Sequence, residues 1–97
     1  MAAYIAILED AGPDTAVGVW FPDLPGCFSA GDTVDEALRN AKDALAAYAE
    51  ILATEGRSLP PARTLWALRN DSAVAPDIRE HIVALISFPT ESAHAAE

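Results

Sequence analysis

The fold is decided by two neighbouring stretches, Val19-Trp20-Phe21-Pro22-Asp23-Leu24-Pro25-Gly26-Cys27-Phe28 and Gly31-Asp32-Thr33-Val34-Asp35-Glu36-Ala37. The first predicts a strand that ends at a proline, because proline has no amide hydrogen to give to a sheet ladder. A rigid turn then leads into another strand, since proline presets one backbone angle and glycine tolerates a positive φ. The second stretch predicts the start of a helix that packs against the resulting sheet.

The helix start carries a capping box, with Thr33 followed by Glu36. We expect the Thr33 hydroxyl to accept from the Glu36 amide, and the Glu36 carboxylate to accept from the Thr33 amide. Gly56 is predicted to follow the helix as its C′ residue, and Pro60-Pro61 to prevent its continuation. Between these ends, one apolar face of an amphipathic helix is formed by Val34, Leu38, Ala41, Leu45, Tyr48 and Leu52.

The other segments complete one small α+β domain in the order β-β-β-α-(short α)-β. Ala2 to Leu8 is apolar on both faces, so we expect a strand that is covered on both sides or paired within an assembly. Turn formers connect it to a strand over Thr15–Phe21, and a third strand covers Cys27–Ala30. A short helix is predicted within Arg63–Asp71, and β-branched residues over His81–Phe88 predict the last strand.

Composition narrows the classes of function. The chain has 97 residues, 52% of them hydrophobic, which is enough for one core. Fifteen acidic residues against six basic ones give a net charge of −9, and residues 1–38 contain no Lys or Arg. A net negative charge disfavours nucleic-acid binding and favours binding to a basic protein. An acidic surface can also serve only to keep the protein soluble. No apolar run is long enough for a membrane helix, and a single cysteine fits a cytoplasmic protein.

Carboxylates are the main candidates for metal binding and catalysis. A metal-dependent nuclease needs several of them to converge on divalent ions, and Asp10, Asp23, Asp32 and Glu36 are candidates by type. A structural role at the turn or at the helix start is the preferred interpretation for the last three. We therefore predict no metal site, no cofactor and no enzymatic activity.

The single cysteine is a poor candidate nucleophile. Cys27 has no evident base, because the chain has only two histidines, His81 and His94, and His94 belongs to the C-terminal tail. A small thiol that is buried or lies in the turn is the preferred interpretation.

Aromatic residues and the proline-rich turn are the candidates for binding. Trp20 and Trp66 could either anchor an interface or fill the core, whereas Phe28 and Phe88 are expected in the core. Leu24 is expected to be exposed between rigid prolines. A rigid turn loses less entropy on docking, so this turn is predicted to contact a partner or another copy.

Taken together, the motifs resemble those of the HicB antitoxin family over residues 2 to 90. The resemblance is carried by Tyr4, by Val19-x-Phe21-Pro22-Asp23-Leu24-Pro25-Gly26-Cys27 and by Gly31-Asp32-Thr33-x-x-Glu36-Ala37-x-x-Asn40-Ala41. It implies a truncated ribonuclease-H-like fold with a helix packed on an antiparallel-rich sheet. It also implies a protein that binds and silences a small basic toxin, HicA, which cleaves messenger RNA with a histidine.

The resemblance sets the expected domain limits. Many HicB proteins carry a C-terminal ribbon-helix-helix or helix-turn-helix module that binds operator DNA. We expect a HicB-like domain over residues 1–90, a disordered tail over 91–97, no C-terminal DNA-binding domain and no nucleic-acid binding by this chain. Two alternatives stay open, a solitary oligomerising HicB-like domain without a toxin and a metal-dependent ribonuclease-H-like nuclease.

The predicted mechanism is the sequestration of a basic toxin. The acidic surface would steer the toxin in, and a sheet edge or the helix face would cover its active-site histidine. Self-association is also expected, because a small sheet with two apolar faces leaves surface to cover. The predicted partner-binding residues are Trp20, Asp23, Leu24, Asp32, Asp35 and Glu36.

Overall fold

A computed structural model describes residues 2–88, and it confirms the predicted α+β class. The disordered tail predicted for residues 91–97 lies outside the described residues. The elements are β1 (Ala2–Glu9), β2 (Val17–Trp20), β3 (Phe28–Gly31), α1 (Val34–Thr54), α2 (Leu65–Arg69), α3 (Ala75–Glu80) and β4 (Ile82–Phe88). Strand and helix order follow the sequence prediction, with α3 as a second short helix before the last strand.

The four strands form one antiparallel sheet in the order β3-β2-β1-β4. The last strand of the chain therefore lies beside the first, with Ile5 opposite Leu85, while Ile7 lies opposite Trp20 of β2. Because β1 lies between β2 and β4, side chains of both neighbouring strands flank its own side chains. On the face away from the core of Tyr4, Ala6 and Leu8, Ile7 is fully buried between Trp20 and Val83, which agrees with an apolar sequence on both faces.

Helix α1 packs on one face of the sheet, which we call the helix face. The alternate β1 residues Tyr4, Ala6 and Leu8 point to it, and they form one core with Ala41 and Leu45 of α1. The predicted apolar stripe of α1 is confirmed, since its members are buried or partly buried against this core. The other face, which we call the opposite face, carries Ile5, Ile7, Trp20 and Leu85.

Both ends of α1 follow local sequence signals. The Thr33 hydroxyl accepts from the Glu36 amide at 3.1 Å, as predicted. The Glu36 carboxylate accepts from the Asp32 amide at 2.6 Å, so its predicted bond to the Thr33 amide is wrong by one residue. At the other end Gly56 has a φ of 72°, and the Arg57 amide donates to the Leu52 carbonyl at 2.8 Å. This is a Schellman motif with glycine at C′.

Candidate functional site

An acidic concavity lies where the β1–β2 turn meets the start of α1. It has a volume of about 400 Å³ and is lined by Asp10, Gly12, Pro13, Val17, Asp32, Thr33 and Val34. Two carboxylates that are distant in sequence, Asp10 and Asp32, therefore share one surface. Among the residues that the structure describes, no Lys or Arg lines this concavity. A cation approaching it would meet uncompensated negative charge.

The first turn of α1 adds further acidic residues beside the concavity. Asp32 and Asp35 are exposed, whereas Glu36 is partly buried and its carboxylate is engaged in the helix cap. The positive end of the helix dipole stabilises carboxylates at this position, which offsets their mutual repulsion. Of the predicted partner-binding acids, Asp32 and Asp35 are thus the two that present charge to solvent, while Glu36 holds the helix start.

Asp23 lies in the β2–β3 turn, and its carboxylate is used within the chain. Its two oxygens accept from the Arg63 amide at 2.7 Å and from the Arg63 guanidinium at 2.6 Å, and only 7% of its side chain is exposed. Arg63 also donates to Asp71 at 2.9 Å. These bonds to Asp71 and Asp23 raise the pKa of Arg63. A toxin contact through Asp23 stays a prediction, and the structure shows this carboxylate tying the turn to the segment before α2.

Two tyrosines hold the same region together. The Tyr4 hydroxyl donates to the Pro60 carbonyl at 2.5 Å, and the Tyr48 hydroxyl donates to the Pro25 carbonyl at 2.9 Å. Burial, reinforced by the negative charge of Asp23, raises the pKa of Tyr4. Both proline-containing segments are therefore tied to the sheet and to α1.

Leu24 is fully buried, so the expectation that it is exposed is wrong. Its amide donates to the Phe21 carbonyl at 3.0 Å, and the Cys27 amide donates to the Leu24 carbonyl at 3.0 Å. In this turn the Leu24 side chain packs into the core under the helix face. Leu24 offers no exposed surface to a partner and instead closes one end of the core.

Phe28 is 71% exposed, so its expected place in the core is wrong. It begins β3, which is an edge strand, so among residues 2–88 a strand lies beside it on one side only. Beside it lies an apolar groove of about 210 Å³ lined by Gly26, Cys27, Phe28, Ala44, Ala47, Tyr48 and Ile51. Ile51 is 58% exposed. The sequence analysis did not predict this groove. The pattern that could have indicated it is a second apolar stripe on α1, formed by Ala44, Ala47, Tyr48 and Ile51, which adjoins the buried stripe of this helix.

The groove includes the only cysteine, which is buried. Burial raises the pKa of the Cys27 thiol and so favours its protonated form. A protonated, buried thiol agrees with the packing role preferred from the sequence.

The two tryptophans lie away from the acidic concavity. Trp20 is partly buried on the opposite face, and its ring meets His81 edge-on at a centroid distance of 5.7 Å. Trp66, on α2, is 74% exposed and so does not fill the core. The predicted partner-binding residues therefore occupy three separate places: the helix start, the β2–β3 turn and the opposite face.

The candidate metal ligands do not form one cluster. Asp23 and Glu36 are engaged in the bonds described above, and Asp10 and Asp32 line the concavity. Among residues 2–88, no group of three or more His, Cys, Asp or Glu side chains is placed to hold a metal ion. Within the same range, no helix combines the length and the apolar character that crossing a membrane requires.

Comparison with known proteins identifies relatives of this chain. A relative encoded in the rep-hol intergenic region of Haemophilus phage HP1, a 14.9 kDa protein, is 37% identical over 65 residues. That alignment covers 67% of this chain and 46% of the phage protein, so this chain matches about half of its relative.

Solved structures share the fold. The antitoxin HicB of Burkholderia pseudomallei superposes with a TM-score of 0.74 at 26% identity, covering 91% of this chain and 64% of the other. A chain from the HicA3 and HicB3 toxin-antitoxin complex superposes with a TM-score of 0.70 at 26% identity, covering 92% of this chain and all of the other.

A family model described as the HicB-like antitoxin of bacterial toxin-antitoxin systems matches residues 4–95. This match covers nearly the whole chain, and the structural likenesses agree with it. The resemblance seen in the sequence motifs is thereby confirmed, and the chain belongs to the HicB-like antitoxin family.

Proposed function

We propose that this domain is a non-enzymatic antitoxin that binds a small basic, mRNA-cleaving toxin of the HicA type in the cytoplasm and neutralises it by covering its active site. The observation that carries the proposal is the acidic concavity, whose lining includes no Lys or Arg from residues 2–88, with Asp32 and Asp35 exposed at or beside it. Family membership supports the antitoxin role, and a relative in the HicA3 and HicB3 complex supports the class of partner.

Strand β3 is the proposed centre of the toxin-binding surface. The apolar groove lies at its first residue, Phe28, and the acidic concavity begins just after its last residue, Gly31. Protein interfaces combine a dehydrated apolar centre with a polar, charged rim. We propose that the toxin contacts the groove through apolar side chains and the concavity through Lys or Arg.

The predicted site residues divide between two tasks in this proposal. Asp32 lines the concavity and Asp35 lies in the adjoining first turn of α1; both are exposed, so both are proposed to steer and contact the toxin directly. Asp23, Leu24 and Glu36 hold the turn and the helix start in the shape that the toxin meets. Trp20 is the cross-strand partner of Phe28, so it lies beside this residue on the opposite face and is within reach of a toxin that contacts Phe28.

An RNA-cleavage assay tests the proposal. The domain is titrated against a basic HicA-like protein encoded beside its gene, and complex formation is followed by light scattering. We expect stoichiometric inhibition and a stable complex. If no complex forms and RNA cleavage continues, this domain does not neutralise the toxin. That result would favour the alternative of a solitary HicB-like domain without a toxin.

Charge reversal tests the steering step separately. The double change Asp32→Lys and Asp35→Lys should slow association about tenfold at low ionic strength and much less at high ionic strength. The double change Asp43→Lys and Glu50→Lys is the matched control, because it alters the net charge equally and both residues are exposed acids about 12 Å and about 22 Å farther along α1 than Asp35. Equal association rates for the two double variants, measured by stopped flow, would contradict steering by the concavity.

A further inference from the structure

Two arginines of this acidic chain line one concavity between the short helices α2 and α3, which we call the α2–α3 concavity. Its volume is about 320 Å³, and the described residues that line it are Arg69 of α2 and Ala75, Ile78 and Arg79 of α3. The two guanidinium groups therefore belong to one surface, although they come from different helices. In a chain with a net charge of −9, such a pair of cations is a local reversal of sign.

Neither Arg69 nor Arg79 takes part in an ion pair within residues 2–88. The ion pairs of this range involve Arg57 and Arg63 instead. Both Arg69 and Arg79 are exposed, and their like charges repel each other, which a bound anion would offset. A guanidinium presents a planar fork of N–H donors that matches the oxygens of a phosphate or a carboxylate. The α2–α3 concavity therefore has the charge and the donors to bind an oxyanion.

Helix α2 is fixed in place by hydrogen bonds at both of its ends. The Thr64 hydroxyl accepts from the Ala67 amide at 3.1 Å, and the Asn70 side-chain amide donates to the Trp66 carbonyl at 2.7 Å. The ion pair of Arg63 with the β2–β3 turn, described above, holds the segment just before the helix. A site on a fixed backbone loses less entropy when a ligand binds than a site on a mobile one.

The indole of Trp66 adds a flat apolar surface to this site. It is 74% exposed, and it precedes Arg69 by three residues on α2, so the two side chains are neighbours on one side of the helix. Aromatic rings beside phosphate-binding cations stack on nucleobases. Ala75 and Ile78 supply apolar contacts within the concavity. The surface thus combines an anion-binding part with a part that suits a planar ring.

We propose that the α2–α3 concavity binds a mononucleotide, whose phosphate lies between Arg69 and Arg79 and whose base stacks on Trp66. Ligand pockets measure about 300–1,000 Å³, so this concavity suits a small ligand. Asp77 and Glu80 belong to α3 as well, and they would repel the further phosphates of a nucleic-acid strand. The site lies on α2 and α3 and not on β3, so it does not depend on toxin binding.

Calorimetric titration of the full chain in a phosphate-free buffer tests the proposal. The probes are adenosine 5′-monophosphate, inorganic phosphate, adenosine, succinate and a short single-stranded RNA. Adenosine 5′-monophosphate should bind more tightly than each of the others. The double change Arg69→Gln and Arg79→Gln should weaken its binding about tenfold or more. Arg39→Gln with Lys42→Gln is the matched control, since it changes the net charge equally at exposed positions of α1, and it should leave the affinity unchanged.

Trp66→Ala separates the two parts of the site. It should weaken the binding of adenosine 5′-monophosphate and leave that of inorganic phosphate unchanged, and circular dichroism verifies that every variant is folded. The proposal is overturned if adenosine 5′-monophosphate does not bind, or if the Arg69 and Arg79 double variant binds it as tightly as the control does. Equal affinity for succinate, or tighter binding of the RNA, would also overturn it. The same holds if Trp66→Ala weakens both ligands alike or neither of them.

Discussion

Replacing Gly31 by alanine should destabilise the fold through one specific contact between β3 and α1. A Cβ at this position would lie 2.5 Å from the Ala37 amide nitrogen and 2.9 Å from its Cα. The atoms it meets belong to the backbone of the first helical turn. The Ala37 amide also donates to the Thr33 carbonyl at 2.9 Å, so this turn cannot move away without loosening the helix start.

The expected size follows from the overlap. To restore an ordinary carbon–nitrogen contact, β3 and α1 must separate by about an ångström, against a packed core. Overpacking of this kind costs about 1–3 kcal/mol, and rigid backbone atoms favour the upper half of that range. Replacing glycine also reduces the entropy of the unfolded chain, which returns about 0.4–1 kcal/mol. The net loss in the free energy of unfolding should be about 1–2 kcal/mol.

Gly18→Ala is the matched control, because a Cβ at Gly18 would meet nothing within 4 Å. It should leave stability unchanged or raise it by up to about 1 kcal/mol. Urea unfolding of both variants is followed by tryptophan fluorescence and far-ultraviolet circular dichroism at one protein concentration. The reasoning is refuted if Gly31→Ala unfolds at the wild-type urea midpoint, or if Gly18→Ala loses as much stability as Gly31→Ala.

Three further predictions concern the turn, the helix start and the ion pair. Leu24→Ala should cost about 2–5 kcal/mol of unfolding free energy, because Leu24 is fully buried, whereas Leu65→Ala on the partly exposed α2 should cost clearly less in the same urea titration. Thr33→Ala removes the helix cap and should lower stability by about 1 kcal/mol in thermal unfolding, and an unchanged melting temperature would contradict this role. The hydrogen bond from Arg63, helped by the Ala73 amide, lowers the pKa of Asp71 below its ordinary 3.8. Its stabilising contribution is therefore complete above that value and is lost as the pH falls through the lower folded-state pKa, so Asp71→Asn should flatten the acid limb of a stability–pH curve. Parallel acid limbs for wild type and variant would show that this carboxylate does not contribute.

Several parts of the fold could be predicted because their signals are local. The start of α1 depends on Thr33 and residues within one turn of it, and its end depends on Gly56. The apolar stripe between them follows from helical periodicity alone. The exposed acids Asp32 and Asp35 belong to the same local signal, so this part of the candidate site was visible in the sequence.

Burial within the β2–β3 region could not be predicted from local signals. Leu24 and Phe28 are both apolar residues beside the same turn, yet the first is fully buried and the second is 71% exposed. The difference arises because the turn folds Leu24 under α1, while Phe28 begins a strand at the edge of the sheet. A residue's environment at an edge depends on which strand lies beside it, and periodicity does not contain that information.

The sequence by itself therefore determined the family, the order of elements and the limits of α1, since each depends on motifs or on neighbours along the chain. Tertiary structure decided the strand order β3-β2-β1-β4, which places Ala2 opposite Phe88 and leaves β3 and β4 at the edges. It also decided that Asp23 pairs with Arg63 and that Asp10 meets Asp32 at one concavity. These arrangements join distant segments, and the free energy that selects them comes from packing and charge pairing that form only when the whole sheet assembles.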